Sequence, residues 1–159
     1  MKEIKLQNGL VALVDDEDYD HLIQYKWRAI KARDTFYAVD SSRKNNRMHR
    51  IIMNTAKGME VDHRDHNGLN NQKTNLRNCS FQENRRNRKK NINCIIPYKG
   101  VSISRQTRNN KLYYYIQATI KVNNKAKFLG FFPTPLDAAK AYDKAAKKYF
   151  GEFANLNFK

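Results

Sequence analysis

The stretch MEVDHRDHNGLNNQKTNLRNCSFQENRRNRKK, residues 59–90, decides how this chain is read. It is polar and rich in asparagine, with Val61 near its start and Leu76 further on as its short apolar anchors. A loop this long and this polar inside a compact unit needs a reason. From Phe81 to Asn91 the pattern predicts a helix, with Ser80 as its cap and Glu83 at the third helical position. A cluster of His, Asp and Asn on a basic protein can be no more than a solvated surface. The same residues also supply what phosphodiester hydrolysis requires. A neutral histidine can take a proton from water near pH 7. A hard divalent cation prefers the oxygens of Asp, Asn and phosphate. Arginines hold non-bridging phosphate oxygens.

Upstream, residues 4–14 predict a strand, an Asn8-Gly9 turn and a second strand. Asp15 and Asp16 open an acidic helix whose inward residues are Tyr19, Leu22, Ile23 and Tyr25. Trp27 and residues 35–39 read as buried strand. Residues 41–47 form a basic polar turn, and MHRIIMNT is a short apolar element carrying His49 and Arg50.

Charge separates these regions. The chain of 159 residues has a formal net charge of +16, which suits a polyanionic partner. Residues 1–40 hold 6 basic and 8 acidic side chains, residues 41–96 hold 13 and 4, and residues 97–159 hold 12 and 3. The nucleic-acid surface is therefore expected in the two later stretches. Two cysteines, Cys79 and Cys94, are too few for a disulfide scaffold, and no CxxC pair supports a structural zinc site. Cys79 reads as a small buried residue beside the helix start. No secretory leader is expected, and no stretch approaches the ~18 apolar residues of a membrane span. The expected setting is cytoplasmic.

Downstream, a boundary is expected near residues 91–97, where the charge run ends and Pro97 restricts the backbone. YKGVSIS, LYYYIQATIKV and AKFLGFF then read as three antiparallel strands, with a turn at Asn123-Asn124. Tyr114, Ile116, Ala118 and Ile120 share one face. Thr134 caps a helix with Pro135 at its first position and Gly151 at its stop. Ala138, Ala141, Tyr142, Ala145 and Tyr149 are its expected apolar stripe.

Val61-Asp62-His63, Asn75-Leu76-Arg77 and Glu83-Asn84 together resemble the HNH endonuclease motif, in the form found in phage and intron-encoded homing enzymes. DHNGLNN at 65–71 and HRIIM at 49–53 fit the same pattern, and the resemblance covers roughly residues 1–90. It implies a β-hairpin and helix around one metal ion (the ββα-metal fold). It implies His63 as general base and Asp62 and Asn84 as metal ligands. Asn75 would orient His63 across the hairpin loop. One Mg²⁺ or Mn²⁺ would complete its shell with water and phosphate oxygens. Arg77 would touch phosphate or brace the fold. His49, Arg50, Arg85, Arg86, Arg88 and Lys89 are further candidates for the DNA backbone. His66 reads as a surface or substrate contact.

Tyr98-Lys99-Gly100-Val101, residues 128–132 (FLGFF), residues 137–143 (DAAKAYD) and Asn155-Leu156-Asn157-Phe158 resemble the AP2 DNA-binding domain over residues 97–158. That family lays a three-stranded sheet in the major groove with a helix behind it. Lys99 stands where an arginine is usual and Phe128 where a tryptophan is usual. The base contacts therefore do not carry over residue by residue. Candidates for DNA are Lys99, Arg105, Arg108, Tyr113, Tyr115, Gln117, Thr119, Lys121, Lys125 and Lys127, with Gln117 expected at a base edge. The tyrosines could equally be packing on a crowded sheet face.

The expectation is thus an α+β chain: an HNH nuclease domain over 1–92, and an AP2-like domain, three antiparallel strands packed on one helix, over 97–159. Its expected function is metal-dependent cleavage of double-stranded DNA by a site-preferring homing endonuclease, acting as a monomer or a DNA-induced dimer. The alternatives are a DNA-binding regulator with a weak or inactive nuclease fold, and an RNA-binding or structural protein, which charge alone would allow.

Overall fold

A computed structural model describes residues 1–32, 34–42, 46–88 and 95–158. The contacts divide the chain into two units, 1–84 and 85–159.

The first unit begins with the hairpin β1 (Lys2–Lys5) and β2 (Val11–Val14), whose register runs from Lys2 opposite Val14 to Lys5 opposite Val11. Gly9 takes φ +81 in the turn, the left-handed conformation that glycine adopts without strain. Helix α1 (Asp16–Leu22) carries Asp16, Glu17 and Asp18 in its first turn, where they meet the positive end of the helix dipole. Strands β3 (Trp27–Ala32) and β4 (Thr35–Asp40) form a second hairpin, and α2 (Met48–Ile52) follows. The core joins Ile4, Leu6, Ala12, Val14, Leu22, Trp27, Ala38 and Met48. Trp27 keeps its indole N–H satisfied there by donating to the Leu22 carbonyl at 2.8 Å. Leu22, Tyr19 and Tyr25 pack as expected, but Ile23 is exposed. It lies beyond the last helical residue, off the inward face.

The polar stretch resolves into β5 (Glu60–His63), a loop, β6 (Leu76–Cys79) and α3 (Phe81–Arg86). The strands are antiparallel, with Asp62 opposite Arg77 and His63 opposite Leu76. The Ser80–Glu83 capping box is present. The Glu83 carboxylate accepts from the Ser80 N–H at 2.8 Å, and the Ser80 hydroxyl accepts from the Glu83 N–H at 3.3 Å. The helix ends at Arg86, short of the expected Asn91, and Asn87 turns inward to a buried site. Residues 89–94, which include Lys89, Cys94 and part of the expected boundary, lie outside the described residues. So do residues 43–45 of the basic turn at 41–47.

The second unit contains a three-stranded antiparallel sheet of β7 (Val101–Arg108), β8 (Lys111–Val122) and β9 (Lys125–Phe132), with β8 central. Asn109, Asn110, Asn123 and Asn124 all adopt positive φ, so two Asn-Asn pairs make the two hairpin turns. Helix α4 (Pro135–Phe150) is capped by Thr134, whose hydroxyl accepts from the Asp137 N–H at 3.1 Å. Its buried face is Ala138, Ala139, Tyr142, Asp143, Ala146 and Phe150. The expected stripe holds in part: Ala138, Tyr142 and Ala145 pack as expected, Ala139, Ala146 and Phe150 join them, and Tyr149 is exposed. Ala118 and Ala138 are fully buried, and Ile120 packs with Tyr142 and Phe150. Small side chains let the helix lie close on the strands.

The separated motifs of this unit meet at one point. Asp143 accepts from the N–H groups of Asn157 and Phe158 at 2.9 Å each, and from the Asn157 amide at 3.0 Å. Asn157 in turn bonds the Lys99 N–H and carbonyl at 2.6 and 3.1 Å. Gly100 has φ +78 against the Tyr142 ring, where an added Cβ would stand 1.9 Å from a ring carbon. Chain end, helix and first strand are thereby locked together.

Candidate active site

His63 is buried on β5, and its Nε2 lies 3.3 Å from Oδ1 of Asn71. Asn71 is itself fully buried and donates its amide N–H to the Leu69 carbonyl at 3.2 Å. That bond turns the amide oxygen toward the imidazole. Nε2 then carries the proton, and Nδ1 is the basic nitrogen of the neutral ring. Burial holds His63 below the usual histidine range, against opposing pulls from Asn71, Asp65 and Asp62. An imidazole kept neutral near pH 7 is suited to accept a proton.

The loop between β5 and β6 is built by its own side chains. Asp65 accepts from the Asn67 N–H at 2.8 Å, the Asn70 amide at 2.8 Å and the Asn75 amide at 2.9 Å. Asn75 also accepts from the Asp65 N–H at 3.1 Å, while its carbonyl accepts from the Arg64 N–H at 2.9 Å. Asn75 thus clamps the loop that follows His63, across the hairpin. His66 takes φ +64 there, and its N–H donates to the His63 carbonyl at 3.0 Å. The loop docks on the rest of the unit through Gly68, whose N–H donates to Thr35 Oγ1 at 2.8 Å. A Cβ at Gly68 would come within 2.4 Å of the Phe36 carbonyl oxygen. Asp15 accepts from the Lys73 N–H at 2.7 Å, and Glu17 and Asp18 pair with the Lys73 ammonium. Part of the acidic N-terminal charge therefore steadies this loop.

Asp62 is buried and paired with Arg77, whose Nε and Nη2 both donate to Oδ2, at 2.9 and 2.6 Å. Both side chains are under a tenth exposed. Arg77 therefore braces the carboxylate from within rather than standing at the surface. Asn84 on α3 donates its amide to the Glu60 carboxylate. Glu60 and Asp62 are two apart on β5, so they share one face of the strand. Cys79 is buried as expected, and burial pushes its thiol up to about 11. Among the described residues, no group of three or more His, Cys, Asp or Glu is gathered as a metal cluster.

On the other side of His63 lies a stack of rings. His49 meets His63 edge-on at 5.0 Å between centroids, and Tyr37 touches both, at 5.4 Å from His49 and 5.7 Å from His63. His49 is 4% exposed, and its Nδ1 is buried without a hydrogen-bond partner. Burial, then the charges of His63, Arg47 and Arg50, pushes its pKa well down. The Arg50 guanidinium is turned inward to the carbonyls of Met59 and Ala56, at 2.9 and 3.4 Å.

In the second unit, Arg85 and Arg88 are exposed, while the Arg86 guanidinium lies 5.0 Å over the Phe150 ring. The Lys99 ammonium donates to the carbonyls of Arg86 and Arg88 at 2.8 Å, and burial lowers its pKa to about 8. Lys127 reaches the Tyr149 hydroxyl at 3.5 Å, on the helix side of the sheet. Tyr113, Tyr115, Gln117, Thr119 and Lys121 alternate with the buried Ala118 and Ile120 and so lie on the open face. Arg105, Arg108 and Lys125 are exposed on the outer strands and turns.

The sequence reading did not single out Asn71, Asp65 or Tyr37. Asn71 could have been suspected, because an Asn-Asn pair in a loop needs a tertiary partner if it is buried. The Tyr37 contact arises from packing and left no local signal.

No family model matches this chain, and no solved structure matches it. A protein of Acanthamoeba polyphaga mimivirus, described as an uncharacterised HNH endonuclease, is 30% identical over 155 residues, spanning 94% of this chain and 75% of its own length. An aligned relative of that extent, with an Asp-His strand, an Asn-clamped loop and a capped helix already in place, assigns the chain to the HNH endonucleases.

Proposed function

We propose that this chain is a divalent-metal-dependent endonuclease that hydrolyses phosphodiester bonds of double-stranded DNA, with a preference for particular sites. The observation that carries the reading is the His63 environment: a buried imidazole, fixed by Asn71 at Nε2 and kept neutral by burial. His63 accepts a proton from the attacking water at Nδ1. The water oxygen bonds to phosphorus, and one P–O bond breaks. Asn75 holds the loop and thereby the direction of the ring. Such a fixed donor–acceptor arrangement needs little reorganisation during reaction.

The donor chemistry suits a hard cation, because Asp62 and Asn84 offer only oxygens and the amide of Asn84 is engaged with Glu60, on Asp62's strand face. Asp62 and Asn84 would hold Mg²⁺ or Mn²⁺. When bound, the ion would neutralise charge on the phosphate and the departing oxygen. The second unit supports an AP2-like role, to hold and position the substrate. Its sheet-and-helix layout and its excess of basic residues favour that reading. The mimivirus relative's description as an endonuclease agrees with the chemistry.

The test is cleavage of supercoiled plasmid DNA with Mg²⁺ or Mn²⁺, beside His63→Ala and an EDTA control. Nicked or linear product that disappears in both controls is expected. Equal behaviour of wild type and His63→Ala would remove the catalytic reading and leave a DNA-binding regulator.

A further inference from the structure

We infer that the open face of the second unit's sheet reads thymine methyl groups, so that the duplex it holds is rich in A·T pairs. This specificity rests on the AP2-like reading above, which lays duplex DNA on that face. A line of rings occupies its centre. Tyr113 stacks with Tyr115 at 6.5 Å between centroids. Tyr115 meets Phe131 at 5.1 Å, and Phe131 meets Phe128 at 4.9 Å. The register explains the line, because Phe131 lies opposite Gln117 and Phe128 opposite Thr119, both on the open face of β8. Phe128 and Phe131 are 57% and 47% exposed. Rings on the face away from the helix add nothing to the core, and they hold apolar area ready for a partner.

The groove offers few matches for such a surface. In the major groove every base pair presents hydrogen-bonding groups, and the projecting apolar group among them is the methyl of thymine. A phenylalanine ring has no donor or acceptor for the polar edge of a G·C pair. Pressed on that edge, it would strip the water and return no hydrogen bond. Against a thymine methyl it covers apolar area with apolar area. Guanine is read by arginine or lysine. On this face those residues stand at the ends, Arg108 opposite Lys111 by one turn and Lys121 by the other, and none lies among the rings. There they are placed for phosphates. Residues 101–132 contain six Lys and Arg and no Asp or Glu, which favours a polyanion over a second copy of the same face. Opposite Phe131, the Gln117 amide donates to Ser102 Oγ at 3.2 Å. That contact fixes the amide, and glutamine is a reader of adenine, the partner of thymine.

The experiment is fluorescence anisotropy on the full chain, in EDTA so that no cleavage occurs. The probes are labelled duplexes of one length: alternating A·T, the same duplex with deoxyuridine in place of thymidine, and alternating G·C. Deoxyuridine keeps the pairing and removes only the methyl. Covering one methyl is worth about four-fold in affinity, so the two exposed rings should give the A·T duplex about ten-fold tighter binding than the deoxyuridine duplex. The G·C duplex should bind no better than the deoxyuridine one. Phe128→Ala combined with Phe131→Ala should bind the A·T and deoxyuridine duplexes alike, with circular dichroism native. Phe128→Leu combined with Phe131→Leu keeps apolar surface and should still prefer thymidine. Equal wild-type binding to the A·T and deoxyuridine duplexes would overturn the inference and leave the AP2-like reading standing, as would tighter binding to G·C. A methyl effect that survives in the alanine variant would overturn it too, because the methyl is then met elsewhere. Absence of binding to any duplex would overturn the AP2-like reading itself, and the inference with it.

Discussion

The two units invert the usual placement of polar and apolar side chains in opposite ways. The first buries polar groups: His49, Asp62, His63, Asn71, Asn75 and Arg77 are each under a tenth exposed. The second builds its core from alanines and a few larger residues, and leaves aromatic rings on its open face. Burying polar groups costs stability unless every partner is met. Exposing rings costs solubility unless something covers them. Each departure sits where a function is proposed: proton transfer needs a dry, fixed imidazole, and contact with a thymine methyl needs an exposed ring.

The sharpest test of the first unit is catalytic. His63→Ala should lower plasmid cleavage about 10²–10⁴-fold, the range for losing a general base, while DNA binding in EDTA is kept. A variant that cleaves at the wild-type rate would reduce the buried ring stack to packing alone. The next effect is on stability. Arg77→Met leaves the Asp62 carboxylate buried without its guanidinium, which should cost about 3–5 kcal/mol. Trp27 is the chain's single tryptophan and lies in the first unit's core, so its fluorescence reads that unit in denaturant titrations. An unshifted Trp27 midpoint would show that the pair contributes nothing to the fold.

The second unit should respond separately. Asp143→Ala removes the acceptor for two backbone N–H groups and the Asn157 amide, so the lock between α4 and the chain end opens. A loss of about 2–3 kcal/mol is expected, on the scale of stranded buried donors. It should appear in far-ultraviolet circular dichroism of the sheet and helix while the Trp27 transition stays in place. A shift of both transitions would mean that the two polar–apolar arrangements are not energetically independent.

Much of this contrast was legible beforehand, for identifiable reasons. The Asn8-Gly9 turn, the Ser80–Glu83 box and the Thr134-Pro135 helix start depend on local chemistry, which a short window carries. The alternation in β8 located the half-buried Ile116 and the buried Ala118 and Ile120, since a strand shows its faces every second residue. The errors concern tertiary context. Local propensity carried α3 on to Asn91, but the chain leaves the helix at Arg86 and buries Asn87. Part of the α4 stripe was misplaced because alanines crowd several faces of that helix, and only the sheet decides which are covered. At the site, Asp62, His63 and Asn75 came from a spaced motif. Asn71, in the β5–β6 loop, and the rings of Tyr37 on β4 and His49 on α2 meet His63 only in three dimensions.

The smallest effect concerns His49, and its sign follows from its burial. The ring's pKa lies well below its ordinary value of 6.5, with burial the largest cause. As pH falls through 6.5, the unfolded chain takes up a proton at this residue that the folded chain refuses. The unfolded state then binds more protons, so stability is full above that value and declines as pH falls below it toward the folded value. His63 is lowered too and contributes in the same direction. His49→Phe keeps a ring against Tyr37 and His63, and removes both the titrating group and the unpartnered Nδ1. At pH 7.5 the Trp27 unfolding midpoint should therefore change by no more than about 1 kcal/mol. Between pH 7.5 and 5.5 the variant should lose less stability than wild type. If both decline equally, the acid sensitivity belongs to other groups, and the polar interior of the first unit tolerates a charge that its geometry says it excludes.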